Sequence, residues 1–522
     1  MRQPDVTAPF SNLYGQLLGE FAREVGERPS AYDGAQQNIR EEIVRCLWFG
    51  SHFNPDELAT DDARRIEVLS PGWWNVEGGP DFIRAEFLLE GAGRLTGDVE
   101  VHTHASSWYA HGHDRQPEYN TVALHVVMWN DAPERAIQLQ SGKTVPQLTL
   151  CKFVEEEVGE LIEVVDMEGA PARDAAPPVS GRFCGQAIAE GRLDPDWLGR
   201  LLDCAGDHRV LTKADRMQRL LEKQPREEVL YEALAEALGY KNNRLPFLQL
   251  AGALPLKTLR EIVPADAPPE QRREMLEAAF YGAGGFLDAA AWKDSDGETV
   301  GCARRLLALW EGLPPRVREA RMTPAHWTFA GTRPVNYPTR RIAALCCIYS
   351  ERLADGLFGH LVRLVMGAQQ GPRRKLDAAI RRALTDFFTG LQHPYWSHRC
   401  TLGGRRHERA LSLVGAERAA AVTVDVLLPL LLAHARSEGR EELASRLHLL
   451  WKALPSRQPN SVVRRMCQVM FPASGAIGAV INSARRQQGL HQLYKDSCGA
   501  REGCPSCVLY LAHTAGKKLQ EA

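Results

Sequence analysis

The stretch GGPDFIRAEFLLEGAGRLTGDVEVHTHASSWYAHGHDRQPEYNTVALHVV, Gly78 to Val127, decides the reading of this chain. Within it LTGDVEVHTH has the two-residue period of a strand, because successive side chains of an extended backbone point to opposite faces. Asp98, Glu100, His102 and His104 therefore share one face, while Val99 and Val101 point to a core. Four polar, metal-competent side chains in a row are an unusual way to solvate a sheet. The run PDFIRAEFLLEG just before it also reads as a strand, and Gly78, Gly79 and Pro80 suit a sharp turn at its start. A hairpin between the two strands sets Asp81 near Glu100.

Working outward, RRIEVLSPG and NTVALHVVMW supply further strands, and a helix from about Gln37 to Phe49 precedes them. The segment DMEGAPARDAAPPVSGR, Asp166 to Arg182, is rich in Ala, Pro and Gly and has neither period, so it reads as a linker. Beyond it the chain turns Leu-, Ala-, Arg- and Glu-rich with helical spacing. The expected class is α+β, with a mainly α-helical domain after an α/β one. The expected organisation is an N-terminal extension (1–35), the α/β domain (36–165), a linker (166–185), the helical domain (186–485) and a Cys-rich C-terminal segment (486–522).

With 522 residues, 44% hydrophobic and 25% charged, the chain is sized for two or three ordinary folded domains and is not a disordered or collagen-like sequence. Residues 1–165 hold 13 Lys and Arg against 27 Asp and Glu, which leaves +12 for the remainder of a chain whose total is −2. An acidic segment beside a basic one suits a cation site next to a polyanion-binding surface, and it equally suits two ordinary solvated faces. No signal-peptide pattern or long uninterrupted apolar run occurs, so a cytoplasmic protein without a membrane span is expected, its 12 cysteines mostly reduced.

Two carboxylates converging at a strand edge supply the hard oxygen ligands that Mg²⁺ or Mn²⁺ takes, with positions left for water and phosphate. The pattern Pro80-Asp81, then Glu100-Val101-His102, is similar to the signature of the PD-(D/E)XK nuclease superfamily. That resemblance implies a restriction-endonuclease-like αβββαβ core, with Asp81 and Glu100 as metal ligands and Glu41 or Glu42 as an extra ligand from the first helix. His102 stands at the lysine position, where it can orient water or act as a base. The resemblance implies a metal-dependent nuclease or phosphodiesterase acting on nucleic acid. An inactive nucleic-acid-binding or assembly protein on the same core is the alternative.

The histidines support a different alternative. His102, His104, His111, His113 and His125 lie within two dozen residues, and imidazole is the usual zinc ligand, so a zinc-dependent hydrolase is a further reading. Within WYAHGHDRQPEYN, a loop, His111 and His113 could also cap the sheet or hold a substrate, while His125 in LHVV faces sheet or core. The stretches WFGSHFN, LSPGWWNVEGGPDF, GDVEVH, SSWYAHGH, YNTVALHVV, RPVNYPTRRIA and RQQGLHQLYKD, with the terminal cysteines, resemble the bacterial family catalogued as domain of unknown function 2851. That resemblance covers most of the chain and implies no established activity.

Two further features carry chemistry. RPVNYPTRRIAAL and QPNSVVRRMCQVM each place Pro and Asn ahead of paired arginines at a helix start, which reads either as two similar capped helices or as phosphate contacts from Arg340, Arg341, Arg464 and Arg465. Cys498, Cys504 and Cys507 concentrate three thiols in ten residues. They suit Zn²⁺ or, with a fourth ligand, an iron-sulfur cluster, and His491 or Cys467 is the nearest candidate to complete the set.

Overall fold

The aliphatic alternation that marks the strands also explains how they stack. A computed structural model of the protein describes residues 10, 12–24, 39, 41–50, 53, 57–75, 78–154, 183–240, 243–319, 322–329, 332–368, 373–471, 480–498, 504 and 507–516. The expected linker lies outside these residues, apart from its last three positions. They divide into two compact units: Met1–Thr212 with Gln458–Ala522, and Lys213–Arg457. The divisions fall at 212/213 and 457/458, away from the linker. The reason is visible in the first core, where Val462, Met466, Leu490 and Leu509 pack in one apolar cluster with Leu47, Val99 and Leu124.

The first unit contains helix α1 (Leu13–Glu24), helix α2 (Glu41–Gly50) and strands β1 (Ile66–Ser70), β2 (Trp73–Trp74), β3 (Phe82–Leu89) and β4 (Gly93–His104). A four-residue helix α3 (Ser107–Ala110) follows, then β5 (Val122–Trp129), β6 (Ile137–Gln138), β7 (Thr144–Val145) and β8 (Gln147–Thr149). The main sheet has the order β1-β3-β4-β5-β8, with β2 paired to β3. β1, β3 and β4 run antiparallel, whereas β4, β5 and β8 are parallel. Parallel neighbours need a crossover. Between β4 and β5 it is built from α3 and two 3₁₀ turns, His113–Arg115 and Pro117–Tyr119, with no long helix.

Register then sorts the two faces. Val99, Val101, Leu124, Val126 and Leu148 share one face and enter the core with Ile43, Val44 and Leu47 of α2. Glu100 is registered with His125, and His125 with Gln147, so the opposite face of three parallel strands is polar. The pairing of β4 with β5 slips between Asp98 and Val99. That bulge separates Asp98 from the alternating row that the sequence suggests.

The second unit is helical. Its helical run Ala416–Ser437 is long and apolar enough to cross a membrane (mean hydropathy 1.5), yet 83% of its apolar window is buried inside the protein, where a core helix sits.

Candidate metal centre

The polar face of β4 and β5 is roofed by the crossover, and that roof brings distant histidines together. Trp108 of α3 is buried and donates its indole N–H to the Gln138 carbonyl (3.1 Å). With Tyr119, Val122, Ile137, Leu139 and Val145 it forms a small apolar cluster that seats the crossover on the sheet. Gly112, at φ +75°, lies between His111 and His113, and its left-handed backbone reverses the chain between the two. His113 then stacks on Tyr119, with ring centroids 3.9 Å apart.

His102, His111 and His113 consequently place one ligand-capable atom each within 4.8 Å of one another. His102 Nε2 is 3.1 Å from His111 Nδ1, and Glu100 Oε1 lies 3.6 Å from His102 Nε2 and 3.4 Å from His113 Nε2. His113 Nδ1 bonds Gln116 Oε1 (3.1 Å), and its Nε2 is buried without a hydrogen bond. His102 and His113 are 1% and 6% exposed, whereas His111 reaches solvent. Burial, then the neighbouring imidazoles, holds His102 well below the ordinary imidazole range, and burial lowers His113 as well. Neutral imidazoles are the form that binds a metal ion.

Behind His102 stands a second layer. His102 Nδ1 lies 2.9 Å from His125 Nε2, and His125 Nδ1 is 2.9 Å from Gln147 Oε1. His125 is fully buried, and burial brings it down to about 4. The Gln147 amide nitrogen donates to Asp61 Oδ2 (2.8 Å), which also accepts from Thr149 and Asn130, while Lys152 pairs with Oδ1 at 2.8 Å. Burial pushes the Asp61 carboxyl up, but the bonds from Gln147, Lys152 and Thr149 outweigh it and hold the group below its ordinary value. A depressed folded value means that the unfolded chain takes the proton first. The stability Asp61 supplies is therefore fully present above about pH 4 and is lost as pH falls through the folded value. Asp61→Asn should cost about 1–2 kcal/mol at pH 7, with the gap to wild type closing toward pH 3 in urea titrations.

The residues read as a Mg²⁺ or Mn²⁺ site do meet, and Asp81 is paired with a guanidinium. The hairpin brings the Asp81 N–H to Glu100 Oε2 (2.9 Å), and Asp81 Oδ2 accepts the Val101 N–H (3.1 Å). Arg45 of α2 lies 2.8 Å from that same Asp81 oxygen and also pairs with Glu41. Asp81 and Glu100 are 1% and 4% exposed, and burial followed by the Asp81 charge raises the Glu100 carboxyl well above its usual range. An octahedral, partly hydrated Mg²⁺ does not fit where a buried cation is already held. Glu42 is turned away and accepts from the Tyr494 hydroxyl (3.2 Å). Asp98 caps the Arg84 N–H (3.0 Å), and His104 stacks near Trp129 with centroids 5.3 Å apart, so neither joins the cluster. Arg45 was legible in principle, one helical turn after Glu41. Asp61 and Gln147 carry no sequence signal, since 86 residues separate them.

The paired arginines divide. Arg340 is 1% exposed, and its guanidinium donates to the carbonyls of Trp396, Arg399, Val335, Leu411 and Ser412 at 2.8–3.2 Å. Arg341 is buried beside it, donating to Leu413, Asn336 and the Tyr240 hydroxyl. The phosphate reading fails for both, because both guanidiniums are buried and bound inside the protein, Arg340 to backbone carbonyls and Arg341 to one carbonyl and two side-chain oxygens. The two helix starts also differ: Asn460 caps its helix by accepting the Val463 N–H (2.9 Å), whereas Asn336 receives Arg341. Arg464 is exposed, with one bond to the Pro459 carbonyl (3.0 Å), and Arg465 is half-buried.

Among the described residues the C-terminal thiols form no set of three within mutual ligand distance. Cys504 and Cys507 share a turn closed by the Cys507 N–H to the Cys504 carbonyl (3.1 Å), and Cys498 is half-buried. Burial raises the Cys507 and Cys467 thiols. The candidate fourth ligand His491 is engaged by Asn460 (3.1 Å).

No curated protein and no solved structure matches the chain. Residues 41–460, which contain the entire histidine cluster, match the family described as Protein of unknown function (DUF2851), and the chain belongs to that family.

Proposed function

We propose that the protein is a metal-dependent hydrolase whose ion is held by His102 Nε2, His111 Nδ1 and His113 Nε2. The observation that carries this is the convergence of three imidazoles within 4.8 Å, one of them presenting a buried nitrogen with no hydrogen bond. An all-nitrogen set suits Zn²⁺ or a neighbouring transition ion better than Mg²⁺, and three protein ligands leave a position for water. A bound ion of this kind supplies an activated water and neutralises charge on the group attacked. Glu100 Oε1, beside two of the imidazoles and anchored through Oε2 by the Asp81 N–H, is placed to accept that water's proton. The exposed His111 marks the side from which a substrate enters.

Phosphodiesters of nucleic acid are the substrate class we favour. The order of α2, three antiparallel strands, crossover and parallel strand, with Pro80-Asp81 and Glu100-Val101-His102 at adjoining strands, supports a restriction-endonuclease-like ancestry for the core. The Arg45 contact with Asp81 favours a second reading, a noncatalytic nucleic-acid-binding protein on that core. Metal analysis and cleavage assays separate the two. Purified protein should contain about one Zn²⁺ or related ion per chain. It should hydrolyse bis(p-nitrophenyl) phosphate or DNA or RNA, and Glu100→Gln should retain the metal while turnover falls about 100-fold or more. Stoichiometric metal without hydrolysis would leave the hydrolase reading untenable, and absence of metal would remove the centre itself.

A further inference from the structure

Hydrogen-bond polarity can be followed through the second layer from an end that admits only one assignment. The Asp61 carboxylate only accepts, so the Gln147 group facing it at 2.8 Å is the amide NH₂, and the Gln147 oxygen is the atom facing His125. That oxygen accepts at 2.9 Å, so His125 carries its proton on Nδ1 and leaves a lone pair on Nε2. Facing that lone pair at 2.9 Å, His102 must carry its proton on Nδ1 too, which leaves the His102 Nε2 lone pair directed at His111 and Glu100. We infer that Asp61, Gln147 and His125 act as a positioning relay that fixes the tautomer of His102 and so presents Nε2 to the ion. The relay deepens the proposed function and rests on it for its purpose, although the tautomer itself is a property of the metal-free protein.

Three features make the relay a built device. His125 and Gln147 lie in register across the parallel strands β5 and β8, and His102 stands on β4 two residues beyond Glu100, the register partner of His125, so the backbone sets the spacing of these three. Asp61 is itself held by Thr149, Asn130 and Lys152, and its own N–H donates to the Gln147 carbonyl (2.8 Å), which ties the loop to the strand that carries Gln147. His113 is oriented in the same sense by an independent partner, since Gln116 Oε1 takes the Nδ1 side and Nε2 faces Glu100. Two ligands thus receive a fixed acceptor on Nδ1. His111, whose Nδ1 meets His102 Nε2, is exposed and can move its proton to the solvent side when an ion arrives.

Histidine-selective ¹⁵N spectra of the metal-free protein, with zinc titrations against a chromophoric chelator, test the relay. In the wild type His102 and His125 should both be Nδ1–H tautomers. Gln147→Leu should mix the tautomers and weaken zinc binding about 10–100-fold at unchanged stoichiometry, the usual cost of losing an outer-shell partner. The Asp61→Asn/Gln147→Glu double substitution, which preserves an acceptor for His125 and a donor for that acceptor, should recover most of the affinity. An Nε2–H tautomer at His102 in the wild type, or wild-type zinc affinity in Gln147→Leu, overturns the relay. A wild type that binds no zinc while showing the Nδ1–H tautomers sinks the proposed function and leaves the relay standing.

Discussion

Arg45→Met is expected to lower stability by about 3–5 kcal/mol, the range seen when one partner of a buried ion pair is removed. The substitution is close in length and keeps the apolar stem, so packing against α2's neighbours changes little. The charge is what disappears. Asp81 and Glu100 are then left buried next to each other with no cation, and Glu41 loses its partner one turn away. Urea unfolding with an unchanged m value and a lowered midpoint is the expected result. Adding Asp81→Asn to Arg45→Met should recover much of the loss, because the neutral amide removes the unpaired charge and can still accept the Val101 N–H. A midpoint shift below about 1 kcal/mol would mean that the arginine is incidental to the acidic group.

His102→Ala and His113→Ala should each weaken zinc binding by more than about 100-fold, beyond what an outer-shell change costs, because each removes a direct ligand. The two substitutions should differ in stability. His102 lies between His125 and His111 and is 1% exposed, so Ala leaves a cavity and an unsatisfied His125 nitrogen, and about 2 kcal/mol is the expected cost. His104→Ala is the control, since its ring leans on Trp129 away from the cluster, and zinc binding should be unchanged. Competition titration reads all three. Equal zinc affinity in wild type and His113→Ala would remove the centre, because the unbonded His113 nitrogen is what distinguishes it from a buried polar cluster.

Much of the first unit was legible because its signals are local. The two-residue period of LTGDVEVHTH placed Val99 and Val101 in the core, and the antiparallel pairing of β3 with β4 brings Asp81 to Glu100, as the hairpin reading requires. The share of chain in that unit was not legible, because nothing in Gln458–Ala522 announces that its apolar residues join those of residues 1–212. The paired arginines show the same limit. A guanidinium reads identically in sequence whether it meets phosphate or backbone carbonyls, and only burial separates Arg340 from Arg464. At the candidate site the histidine row was visible, but its meaning depended on Gly112 and on the crossover that folds His111 and His113 back over β4. Arg45 stands one helical turn after Glu41, but its pairing with Asp81 depends on how α2 packs on the sheet, which no local pattern encodes.

The contribution of Gln458–Ala522 to the first apolar core has a consequence for how the protein is made. A ribosome delivers the amino-terminal sheet several hundred residues before its final partners, so that sheet must wait, incompletely covered, while the intervening helices emerge. Those helices, all encoded in one continuous run, can close on themselves first. Released chains truncated after residue 457 should therefore protect Lys213–Arg457 from protease while leaving the sheet open to cleavage and to chaperone capture.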